Sequence, residues 1–71
     1  MQLGVIADDV TGGTDLASTL RRAGLSAVQT FGPPEGDLPA ADAVVVSLKI
    51  RTAPREVAVS AASNAAAWLR S

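Results

Sequence analysis

The chain has 71 residues, six of them basic and seven acidic, a net charge of −1, and no Cys or His. That is room for one small domain, and it excludes a disulfide scaffold, a Cys/His metal site, a His-based triad and a thiol nucleophile. The near-neutral balance also argues against electrostatic binding to nucleic acid or to a membrane surface. The first strand is Leu3-Gly4-Val5-Ile6-Ala7, a short run ended by two carboxylates that reads as buried, since both faces are apolar. Residues 8–14 (DDVTGGT) read as a polar, glycine-rich turn, and residues 15–23 as a helix with Leu16, Leu20 and Ala23 on one face. Asp15 in the first turn and Arg21 and Arg22 in the last suit the helix dipole, with Arg21 and Arg22 a solvated end, and Gly24 suits the position after the C-cap.

Residues 26–31 form a second strand, and GPPEGDLPAA is a loop by its Pro and Gly content. Ala43-Val44-Val45-Val46 is the strongest strand signal, continuous and β-branched. KIRT at 49–52 is an exit loop. Thr52 or Ala53 caps a last helix that runs to about Leu69, with Pro54 early in it and an apolar stripe of Val57, Ala61, Ala65 and Trp68. The class is α/β: a partial open parallel sheet of order β-α-β-β-α, in which two helices cannot cover three strands on both faces.

Apolar residues make up 48% of the chain but aromatics only 3%, with alanine supplying the difference. Small side chains bury little area each, at about 25 cal/mol per Å². Such a composition suits part of a larger packed sheet better than a free-standing mini-protein. The N-terminus carries no basic side chain before Arg21 and no span-length apolar run, so a cytoplasmic protein with no membrane partner is the expectation.

Ligands of open α/β sheets bind beyond the carboxyl ends of the strands. Two polar groups of residues fall at that edge: Asp8, Asp9, Thr11, Gly12, Gly13, Thr14 and Asp15 after the first strand, and Ser47, Lys49, Arg51 and Thr52 after the third. Gly12 and Gly13 allow backbone N–H groups to approach an anion. Asp8 and Asp9 accept hydrogen bonds, as from sugar hydroxyls, or hold Mg²⁺; as neighbours at a strand end they point to opposite faces. Arg51 suits bidentate pairing with a carboxylate and Lys49 a point-charge contact. The plainer alternatives are that Asp9 or Thr11 caps the helix, that Asp8 is a solvated strand end, and that Arg51 pairs with Asp8. Trp68 packs at a helix–sheet or domain interface.

There is no GxxxxGK[ST] and no GxGxxG, so neither a P-loop nor a dinucleotide fingerprint is present. A phosphorelay receiver needs an Asp where the third strand here leads to Ser47. A haloacid-dehalogenase-type phosphatase needs Asp-x-Asp, whereas Asp8 and Asp9 are adjacent.

IADDVTGGTDLASTLRRAG, then VQTFGPPEGD, then AVVVSLKIRT, then WLR: in this order the motifs resemble the four-carbon acid sugar kinases, most of all the 3-oxo-tetronate kinase branch. Its corresponding strings are I-A-D-D-x-T-G-A-T-D, V-Q-T-x-G-x-P and A-V-V-V-A-L-K-S-R-T, followed by a Pro-led helix ending in W-L-R. The resemblance covers the whole chain. It implies ATP-dependent phosphorylation of a terminal hydroxyl on a four-carbon sugar acid, with the sugar acid bound by an N-terminal domain and ATP by a C-terminal one. By position, Asp8, Asp9, Thr11 and Gly12 belong to the acid-sugar pocket, and Arg51 with Lys49 meets the substrate carboxylate. One of the two Asp residues is the candidate catalytic base, Asp9 ahead of Asp8, and Mg²⁺ bridges the ATP phosphates. Val10 stands for the usual Phe or Leu, Gly13 for Ala, and Ile50 for Ser, which removes a hydroxyl beside the expected carboxylate site.

Members of that family run to several hundred residues. The expectation is therefore that residues 1–71 are an incomplete N-terminal acid-sugar-binding domain, inactive alone, with the nucleotide-binding C-terminal domain and most of the ATP and Mg²⁺ contacts outside the chain. The alternatives are a threonate or erythronate kinase of the same family, and a non-catalytic βα module that folds against a partner chain.

Overall fold

The computed structural model describes residues 3–71. Five elements follow in chain order: β1 (Leu3–Ala7), α1 (Val10–Arg22), β2 (Ala27–Phe31), β3 (Ala43–Ser47) and α2 (Arg55–Leu69). They form the open parallel α/β sheet with two helices that the sequence predicts. The strand order is β1-β3-β2, with both pairings parallel. The first two strands are thus parallel but not neighbours, because β3 inserts between them. The reason is burial: every residue of β3 is 0% exposed, and only a middle strand hides both faces of a run as apolar as Ala43 to Val46.

Alternate residues of β3 serve two layers. Val44, Val46 and the following Leu48 form a buried cluster with Ala65 of α2, and Ile6, Ile50, Ala61, Trp68 and Leu69 pack on it. On the other face, Ser47 meets Gly13 of α1 and Gln29 of β2. The two helices therefore cover opposite faces of the middle strand and leave β1 and β2 as half-exposed edges. The loop from β2 back to β3 is tied to the α2 side, where Trp68 Nε1–H donates to the Gly36 carbonyl at 2.8 Å. Ser26 and Asp42 bond reciprocally where β3 begins: the Ser26 amide donates to Asp42 Oδ2 at 3.0 Å and the Asp42 amide to Ser26 Oγ at 2.8 Å.

Several expectations are corrected. β1 is not a buried strand but a half-exposed edge, with Leu3 40% exposed. The segment 8–14 is not a turn; α1 starts at Val10, with Asp9 as its N-cap, and its first turn holds no acidic residue. Asp15 lies further along the helix. Gly13 and Ala17 are the buried positions of α1, while Leu16 and Leu20 are half-buried and Ala23 is the exposed C-cap. Pro54, not Thr52 or Ala53, caps α2, and without a side-chain hydrogen bond. Val57 leaves the α2 stripe and is 54% exposed. Arg21 is not merely solvated: its Nε and Nη2 both donate to the Ala27 carbonyl, at 3.2 and 3.0 Å. Gly24 does end α1, at φ +93°, with its amide on the Arg21 carbonyl and the Leu25 amide on that of Leu20, the hydrogen-bond pair of a Schellman motif. Among the described residues no helix is long and apolar enough to cross a membrane.

Candidate functional site

The backbone ladder between β1 and β3 continues past both strands. The Leu48 amide donates to the Ala7 carbonyl at 2.9 Å and the Ile50 amide to the Asp8 carbonyl at 3.2 Å. A tight turn follows, closed by the Ala53 amide on the Ile50 carbonyl at 3.1 Å. These bonds lay the exit loop of β3 against the Asp8–Asp9 corner, so the two polar groups of residues at the carboxyl edge converge.

Asp9 is the centre of that meeting. Its Oδ1 accepts from the Gly12 amide at 2.6 Å, and its Oδ2 lies 2.9 Å from Arg51 Nη1. One carboxylate therefore caps α1 and holds a guanidinium. The Arg51 partner is Asp9 and not Asp8. The Arg51 side chain is 71% exposed and that of Asp9 27%, so the pair is solvent-screened and contributes little stability. An arginine that exposed is held loosely enough to exchange one carboxylate for another.

The Gly12 and Gly13 amides do not form an open anion cradle. The Gly12 amide is taken by Asp9 Oδ1 and the Gly13 amide bonds the Asp9 carbonyl at 3.3 Å. Asp8 is exposed, and only its carbonyl takes part in the hydrogen bonds above. Thr11 and Gly12 are exposed in the first turn of α1, and Thr52 is exposed in the turn after Arg51. Lys49 is also exposed, at the rim of a groove of about 770 Å³. Val10, Phe31, Pro33, Ile50 and Val57 contribute to its lining. Among the described residues no group of three or more His, Cys, Asp or Glu side chains is arranged to hold a metal ion.

Two features escaped the sequence reading. Gln29 bonds both α1 and β3, with Nε2 2.8 Å from Ser47 Oγ; a single amide in a strand has no periodic signal. The groove draws on four separate segments, and only the break of the α2 stripe at the exposed Val57 hints at it.

Residues 3–71 match the model of a family described as the sugar-binding N-terminal domain. The chain is 53% identical over 72 residues to the 3-oxo-tetronate kinase of Methylobacterium radiotolerans, covering 99% of this chain and 17% of that protein. It is 52% identical over 71 residues to the 3-oxo-tetronate kinase of Actinobacillus succinogenes, again covering 99% of this chain and 17% of the relative. Among solved structures, the Haemophilus influenzae protein HI1011, of the family model DUF1537, superposes with a TM-score of 0.90 at 47% identity, over 94% of this chain and 16% of that one. A Salmonella typhimurium protein provisionally named a tRNA synthase superposes with a TM-score of 0.92 at 46% identity, over 96% and 16%. The chain thus spans about one sixth of the length of the curated relatives it matches. The family match runs through every described residue, and on that ground the chain belongs to the family of sugar-binding N-terminal domains.

Proposed function

We propose that this chain forms the acid-sugar-binding edge of an ATP-dependent kinase that phosphorylates a four-carbon sugar acid, such as 3-oxo-tetronate, to its 4-phosphate. The observation that carries the reading is the Asp9–Arg51 pair, 2.9 Å apart at the carboxyl edge of a parallel sheet. An acid with several hydroxyls needs both partners: a guanidinium for its carboxylate and carboxylates for its hydroxyls. Arg51 holds Asp9 until a sugar acid arrives, then turns to the acid group, with Lys49 adding charge. Asp9 keeps its bond to the Gly12 amide through Oδ1, and the freed Oδ2 takes the proton of the attacking hydroxyl. Asp8, Thr11 and Gly12 complete the contacts to the sugar.

Among the described residues no group of three or more acidic side chains gathers around Asp9 to hold Mg²⁺. The nucleotide and its metal are assigned to a C-terminal nucleotide-binding domain outside this chain, in a cytoplasmic enzyme. ADP release by the enzyme carrying this domain, with 3-oxo-tetronate, threonate and erythronate in turn, tests the reading and selects the substrate. No ADP release with any of the three overturns it. The 71-residue chain alone is expected to give no turnover.

A second reading, a βα module that docks on a partner chain, draws on the exposure of Phe31 (64%) and Val57 (54%) beside the groove. A partner-dependent fold with no sugar-acid binding in the assembled protein would favour it. A net charge of −1 does not suit a tRNA-binding role.

A further inference from the structure

Beneath the Asp9 corner lies a small polar network on the α1 face of the sheet. Gln29 of β2 is its hub. Its Nε2 donates to Ser47 Oγ at 2.8 Å and to the Val10 carbonyl at 3.4 Å, and its Oε1 accepts from Thr14 Oγ1 at 3.2 Å. These partners fix the carboxamide orientation, since a flipped amide would set two carbonyl oxygens against each other at Val10. Val10 directly follows Asp9, and Ser47 is the last residue of β3 before the loop that carries Arg51. Gly13 sits inside the same network, and a Cβ there would lie 3.0 Å from Gln29 Nε2.

The backbone ladder fixes the exit loop to Asp8, but it does not fix how the first turn of α1 sits on β3. The Gln29 side chain hydrogen-bonds across that contact, to the residue after Asp9 on one side and the end of β3 on the other. We propose that Gln29 is the positioning residue of the acid-binding edge: its carboxamide seats the first turn of α1 on β3 and so sets the meeting of Asp9 with Arg51. It touches no substrate. It acts through Val10 and Ser47, and the inference rests on the reading of Asp9 and Arg51 as the acid-sugar site.

The test uses the full chain with Gln29→Met, which keeps the side chain's length without its donors, and Ser47→Ala, which removes one partner only. The readouts are the NMR signals of the Gly12 amide and the Arg51 guanidinium, together with a titration with threonate. In Q29M both signals move toward those of free groups, threonate binding weakens roughly tenfold, and the Ala65 amide on the far face stays in place. S47A shifts the Gly12 and Arg51 signals in the same direction by less. Unchanged Gly12 and Arg51 signals in both variants overturn the proposal, as does uniform loss of structure across α1 and α2 in both. If Q29M fails to fold, S47A decides on the same signals. Movement of both signals in a chain that never binds threonate supports the positioning role, and the sugar-acid reading then stands or falls on ADP release by the enzyme carrying this domain.

Discussion

The first turn of α1 rests so closely on β3 that a methyl group on Gly13 would collide with the hydroxyl of Ser47. Both residues are buried. Glycine at 13 leaves the space in which the Ser47 hydroxyl accepts from Gln29 Nε2.

Gly13→Ala should therefore destabilise the chain, although alanine is the better helix former by about 1 kcal/mol. Overpacking against a fixed strand typically costs about 1–3 kcal/mol, enough to reverse that gain. In a Ser47→Ala background the same change should cost less, because the colliding hydroxyl is gone while the close contacts to Gln29 Nε2 at 3.0 Å and to the Cβ of residue 47 at 3.1 Å remain. Urea unfolding of the two single variants and the double one measures the coupling. Equal effects of G13A in both backgrounds would show that the two residues do not compete for space.

This contact also explains what the sequence left illegible. Ala43 to Val46 read as a strand because the run is continuous and β-branched, and β3 is indeed fully buried. The start of α1 was hidden because Gly12 and Gly13 look like turn residues by local preference. Their place in a helix is set by packing on Ser47, a tertiary contact, together with the local Asp9 cap that the sequence offered only as an alternative. Asp9 and Arg51 stand out as chemistry, but that Arg51 meets Asp9 and not Asp8 follows from the strand order, which no local pattern encodes.

Asp9 has two separable duties, one for each oxygen. Asp9→Ala removes both and should cost about 1 kcal/mol, the usual loss for an N-cap. Asp9→Asn keeps an acceptor for the Gly12 amide and should stay close to the parent in a thermal melt. Arg51→Ala should change stability by less than about 1 kcal/mol, because the pair is exposed to solvent and to salt. Its consequence should fall on function: a raised KM for the sugar acid in the enzyme carrying this domain, with an unchanged melting temperature. An unchanged KM removes Arg51 from the site.

Trp68 joins α2 to the loop after β2 through a single hydrogen bond to Gly36. Trp68→Phe keeps most of the packing on the Val44, Val46 and Leu48 cluster and deletes the donor. The expected loss is about 0.5–1.5 kcal/mol, the net value of one hydrogen bond. Limited proteolysis should then cut faster within residues 33–41 and no faster within α1. Uniform acceleration across the chain would mean that the indole serves packing alone.

Ile50 stands where the resembled pattern has serine, beside the residue expected to bind the acid. Its side chain packs on the buried cluster of β3 and α2 and lines the groove with Leu48 and Val57. Only its backbone reaches the Asp9 corner, through the amide bond to the Asp8 carbonyl at 3.2 Å, and a serine would keep that bond. Ile50→Ser should thus lower stability by about 1–2 kcal/mol through lost apolar burial. The Arg51 signal and the KM for the sugar acid should hardly move, because the new hydroxyl would take the place of a side chain that packs on the core. A marked fall in KM would instead mean that position 50 reads the substrate, and that isoleucine there narrows which acid the site accepts.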